Sequence, residues 1–186
     1  MSRRSEPLRA SFRKFAAATH RTTARRADAV EVSIPQVGRK FALPHDLAHF
    51  AIERALGIHD GFWGSLAAGA LVGGARVTAG RQAPHAARLS DEILKRNRAS
   101  LTEAEVAVGL IYQASQHHAP AVRAPAVWRE LTASYPRGRF ARITANDIAL
   151  VIGLVAETTR RWQALPVGES MTLEWPLARL PHASYG

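Results

Sequence analysis

Cysteine is absent from this sequence. Disulfides, thiolate zinc sites, cysteine-held iron–sulfur clusters and thiol nucleophiles are therefore excluded, and any metal site must use His, Asp and Glu. The absence fits a reducing compartment, so the cytoplasm is the expected location. Long apolar runs are missing as well. The longest, Phe62 to Ala75 with Ser65 inside it, falls short of the roughly 20 residues of a membrane span and reads as a buried helix. No apolar segment follows the basic N-terminus, which argues against a secretory signal. The chain also lacks a GxSxG elbow, a P-loop and a GxGxxG turn, so the serine-hydrolase and nucleotide-binding templates have no support.

Acidic residues are scarce, 15 Asp and Glu against 25 Lys and Arg, and the resulting net charge of +10 is uneven. Residues 1–29 hold eight cations (Arg3, Arg4, Arg9, Arg13, Lys14, Arg21, Arg25 and Arg26) against Glu6 and Asp28, a net +6. This composition predicts a basic, flexible N-terminal arm at 1–29 ahead of one globular domain at 30–186. Such an arm can touch nucleic acid, an acidic partner or an anionic membrane surface. Its Arg, Ser and Ala content is also that of a transit peptide, which would make the location organellar. Within the arm only Phe12 and Phe15 are available to stack on bases. The hydrophobic fraction of 47% in 186 residues supplies a real core and excludes global disorder.

Val30, Val32 and Ile34 alternate with Glu31 and Ser33, the period of a half-buried strand. Turn chemistry at Pro35-Gln36-Val37-Gly38 and the alternation of Phe41 and Leu43 complete a predicted hairpin. Met171, Leu173 and Trp175 form a third strand that can join it. The rest reads as helical. Helices are predicted from Pro44 to Leu56 with a stop at Gly57, over 62–74, from Ser90 to Asn97, from the capping box at Thr102 to Gln116, from Pro125 to Ser134, and onward from a cap at Thr144. The fold class is mostly α within α+β: a helical domain with a small antiparallel sheet built from the hairpin and the C-terminal strand.

One locus carries chemistry: Pro44-His45-Asp46-Leu47-Ala48-His49-Phe50-Ala51-Ile52-Glu53. With His45 at the origin of a helical wheel, His49 falls at about 40°, Glu53 at about 80° and Asp46 at about 100°. Four metal-competent side chains thus share one stripe of a helix that is otherwise apolar apart from Arg54. Buried polar groups need partners, and a metal ion would satisfy several at once. His45 and His49 stand one turn apart, as the two histidines of HExxH do, and are the first ligand pair. Glu53, a further turn along, is the third ligand candidate and a catalytic one. Asp46 is a ligand, a catalytic base or an acceptor for an imidazole N–H. The alternative without metal has Asp46 at the helix N-terminus and Glu53 paired with an arginine.

His45-Asp46-Leu47-Ala48-His49 resembles the HDxxH motif of coenzyme Q biosynthesis proteins of the Q4 type. The resemblance covers five residues and implies metal binding on a helical, lipid-associated scaffold. That family has a Glu twelve positions after the second His, where this chain has Gly61. The wider PHDLxHFxxE string also resembles small bacterial proteins to which no activity attaches. Further ligands can come from His59, Asp60, His85, His117, His118, Glu103, Glu105 or Glu157, none at a spacing that predicts closure onto His45 and His49.

Three functions follow as expectations. The first is a divalent-metal protein, zinc above all, and a hydrolase or lyase acting on a small molecule whose identity the sequence does not give. The second is a non-catalytic module binding nucleic acid or an acidic partner through the arm. The third is a small lipid- or quinone-binding protein, if the apolar helix from Phe62 lines a cavity.

Overall fold

The computed structural model describes residues 7–16, 19–36, 42–117 and 119–176. It is a mixed α+β fold. Five strands, β1 (Leu8–Ala16), β2 (Thr19–Arg25), β3 (Glu31–Ile34), β4 (Arg76–Ala79) and β5 (Ser170–Trp175), form one antiparallel sheet in the order β4-β3-β2-β1-β5. Five helices pack on it: α1 (His45–Leu56), α2 (Phe62–Ala67), α3 (Ala86–Ser115), α4 (Ala124–Ser134) and α5 (Ala145–Ala164). Two short 3-10 segments, Pro120–Arg123 and Arg139–Arg142, flank α4. Among the described residues no helix is long and apolar enough to cross a membrane.

The predicted basic arm is instead the middle of the sheet. Leu8, Ala10 and Phe12 point into the core while Arg9, Ser11 and Arg13 face solvent, the alternation of a strand buried on one side. The arginines that make the segment look like a tail are the polar half of that pattern. Two of the eight cations do not face solvent at all. Lys14 is buried, and its ammonium donates to the carbonyls of Trp162, Gln163 and Leu165 at 3.2, 3.0 and 2.9 Å. It thereby satisfies the C-terminal carbonyls of α5, where the helix dipole favours a cation. Arg26 is buried against Asp28 and the Gly69 carbonyl. Arg3 and Arg4 lie outside the described residues.

The predicted hairpin also differs. β3 pairs with β2 and β4, and Ala42 and Leu43 lie in a bend; Phe41 and 37–40 are outside the described residues. The predicted helix over 62–74 stops at Ala67, because the chain turns through Gly69 and Gly73 at φ of 114° and 59°, a region closed to an α-helix. The two helices predicted at 90–97 and 102–116 are one. Arg98-Ala99-Ser100-Leu101 contains no Gly or Pro, so nothing interrupts the ladder, and the Thr102 hydroxyl bonds the Arg98 carbonyl instead of capping. The remaining helices match their expected bounds closely. Gly57 caps α1 with a left-handed φ of 66°, and Thr144 and Asp147 form the capping box of α5.

An aromatic knot seats α1 on the sheet. Phe12 of β1 meets Phe50 of α1 and Trp63 of α2 at ring-centroid distances of 6.0 and 5.7 Å, and Phe50 meets Trp63 and Trp175 at 5.0 and 5.3 Å. All four rings are almost fully buried. Edge-to-face packing fixes the rotation of α1, and so which side of it faces α3.

Replacing Lys14 by Met keeps the aliphatic stem and leaves three α5 carbonyls without their cation. The expected cost is about 2 kcal/mol, read by urea unfolding. Unchanged stability would mean that water replaces the ammonium.

Candidate metal centre

Pro44 sets the start of α1, and His45 and His49 follow one turn apart on the side facing α3. Their rings are 4.6 Å apart between centroids. From α3 comes Glu105. Its Oε2 lies 3.5 Å from His45 Nε2 and 3.4 Å from His49 Nε2. One ligand atom from each of the three residues lies within 4.8 Å of the other two, so this cluster could hold a metal ion. Two ligands about 2.1 Å from a tetrahedral centre stand roughly 3.4 Å apart, so the histidine–carboxylate spacings fit such a centre.

Behind the cluster the contacts are tight. His49 Nδ1 and Glu53 Oε1 are 2.8 Å apart, and both side chains are buried. The Glu53 carboxylate also accepts the backbone N–H groups of Phe62 and Trp63, each at 3.1 Å. It therefore joins α1 to the first turn of α2. Gly61 makes this possible, since a Cβ there would sit 2.6 Å from Glu53 Oε2. With Nδ1 held by a carboxylate, His49 turns Nε2 toward His45 and Glu105. That buried nitrogen has no hydrogen-bond partner among the described residues.

Three of the four residues of the predicted stripe thus take separate tasks. His45 and His49 meet, as expected. Glu53 is not placed as a ligand or a catalytic group: its oxygens are occupied by one imidazole and two backbone amides. It is the carboxylate that orients a histidine. Asp46 is not at the cluster either. Its Oδ1 lies 3.2 Å from His20 Nε2, with both side chains largely buried, and its carbonyl accepts Trp63 Nε1 at 2.9 Å. The wheel angle of about 100° from His45 already carries it round to the sheet side.

Glu105 is the residue the spacing did not select. Its signal lies in α3 read as one helix: Glu105, Val108 and Tyr112 stand on one face, an acid on an apolar stripe. The other candidates are engaged elsewhere. Arg139 pairs with Asp60 at 2.7 Å and Glu103 at 2.9 Å, and Glu157 with Arg160. His59 packs edge-on to Trp175, and His85 precedes α3 in a left-handed conformation. His118 lies outside the described residues.

A cleft of about 720 Å³ opens beside the cluster between α1 and α3. His45 and Glu105 stand in its wall with Leu43, Ala48, Val108 and Tyr112, and Gln113, Gln116 and His117 extend it along α3. The Tyr112 hydroxyl accepts the Ala42 backbone N–H at 2.9 Å, which holds the ring. Trp63 and Leu66 of α2 are instead fully buried in the core, so the apolar helix from Phe62 does not line this cleft.

The site is electrostatically one unit. Burial alone would push His49 down, but the hydrogen bonds and charges of Glu105 and Glu53 outweigh it and raise the imidazole to about 9. Hydrogen bonding from His45, then His49, holds Glu105 far below the usual carboxylate range. Without metal, His49 is an imidazolium between two carboxylates at neutral pH, and a metal on Nε2 must displace its proton. A search against protein-family models finds no match, and neither the curated proteins nor the solved structures give a significant one.

Because the His49 pKa is raised on folding, its contribution to stability is complete below its ordinary value of 6.5 and disappears as pH rises through about 9. Metal-free wild type should therefore lose stability relative to His49→Gln over that window, by at most about 3 kcal/mol. Parallel pH profiles in chemical denaturation would mean that folding leaves the pKa of His49 unchanged.

Proposed function

We propose that this protein binds a divalent transition metal, zinc above all, and acts as a metal-dependent hydrolase or lyase on a small molecule held in the cleft. The carrying observation is the buried, unpartnered Nε2 of His49, turned by Glu53 toward His45 Nε2 and the Glu105 carboxylate. Two imidazoles and one carboxylate are a ligand set of catalytic zinc, in which three side chains leave a position open. Here two of the three ligands stand in the cleft wall, so a substrate in the cleft would reach that position.

The roles in this reading are distinct. His45, His49 and Glu105 bind. Glu53 is a positioning residue: it fixes the His49 tautomer with Nδ1–H donating, leaving Nε2 to coordinate. A divalent ion would lower the pKa of a water or polarise a carbonyl. Asp46 has no part, because it is committed to His20.

The test is the metal content of protein purified without an affinity tag, with His45→Ala/His49→Ala as the comparison and folding checked in both. Near-stoichiometric zinc that vanishes in the folded double variant is expected. Glu53→Gln should retain the ligands yet bind about 10–100-fold more weakly. Wild-type protein that takes up no metal on reconstitution would end this reading and leave the cluster as a structural ion-pair network.

A further inference from the structure

The helices, and with them the metal cluster, lie on one side of the sheet. The other side is open to solvent and carries five exposed arginines: Arg9, Arg13, Arg21, Arg25 and Arg76. Strand register sorts this face into three rows. In the first, Glu31, Arg25, Arg9 and Glu174 lie side by side across β3, β2, β1 and β5, and Arg9 pairs with Glu174 at 3.1 Å. Charge there is balanced. The second row is made of hydroxyls, Ser33, Thr23, Ser11 and Thr172, with Arg76 beside Ser33.

The third row is unbalanced. Arg21 stands directly opposite Arg13, whose other neighbour is Ser170, and neither arginine has an acidic partner among the described residues. Like charges directly opposite each other destabilise a sheet. Phe15 lies beside them, 43% exposed, with the guanidinium carbons of Arg13 and Arg21 at 5.5 and 5.3 Å from its ring centroid. An open aromatic ring between two unpaired guanidinium groups is unfavourable for folding and suited to a ligand.

We propose that this face binds single-stranded nucleic acid. Arg13 and Arg21 take phosphates, Phe15 stacks on a base, and the hydroxyl row donates to the backbone. Charge complementarity favours a polyanion. All five exposed cations here are arginines, whose planar forks grip phosphate in two places. Phe15 favours an unpaired strand, since a duplex hides its base faces while a single strand offers them for stacking. The site rests on β1 and β2, not on a flexible arm, and is independent of whether the cluster across the sheet holds metal.

The experiment is fluorescence anisotropy of the full chain with labelled oligothymidylate of roughly 15 nucleotides, across a salt series. Arg13→Gln/Arg21→Gln should weaken binding at least about tenfold and flatten the slope of log K against log salt by about 1.4, two phosphate contacts' worth. Its thermal stability should not fall, because a like-charge pair is removed. Phe15→Ser should weaken binding by about tenfold with the salt slope unchanged. Equal affinity of wild type and the arginine double variant would overturn the proposal. So would equal binding to phosphatidylserine vesicles or heparin with no effect of Phe15→Ser, which would make the face a general anionic-surface contact.

Discussion

The carboxylate of Glu53 has no contact with water and three hydrogen-bond partners inside the protein. A buried carboxylate is tolerated only when its lone pairs are taken, and here one imidazole and two backbone amides take them. The arrangement constrains both sides. It starts α2 where the chain comes back under α1, and it fixes the ring of His49. Gly61 has to be a glycine because any Cβ would collide with the carboxylate. The aromatic knot of Phe12, Phe50, Trp63 and Trp175 then locks the same junction onto the sheet from below.

The sheet serves two surfaces by strand alternation. Its inner side packs Leu8, Ala10, Phe12, Val32 and Ile34 beneath the helices, and its outer side holds arginines and hydroxyls. Lys14 is the exception that proves informative. It lies on the inner side, where its ammonium meets only α5 carbonyls and the face of Trp162. A cation can be buried there because the helix end supplies the negative pole. β1 is thus tied both to β2 and β5 and to the end of the longest connection in the fold, the one that returns α5 to β5.

Local chemistry was legible wherever it was self-contained. Pro44 and Gly57 bounded α1, Thr144 and Asp147 opened α5, and β3 and β5 showed their alternation. The pairing of His45 with His49 followed from one helical turn. What failed were readings in which composition outweighed period, or local punctuation was asked to overrule packing. Eight cations in 29 residues obscured the alternation of Leu8, Ala10 and Phe12. A Thr-Glu-Ala-Glu string looked like a helix start, but with no Gly or Pro before it α3 ran straight through.

The sequence by itself determined a cysteine-free α+β chain and two histidines that share a face, because those properties depend on composition and on contacts a few residues apart. Only the tertiary structure decided which carboxylate meets the histidines. Glu53, on their own helix, was drawn away by the amides of α2, while Glu105, 56 residues beyond His49, was carried in by the packing of α3 on α1. Helical geometry predicts neighbours one turn away. It says nothing about which distant helix covers them, and at this site the covering helix supplies the third side chain.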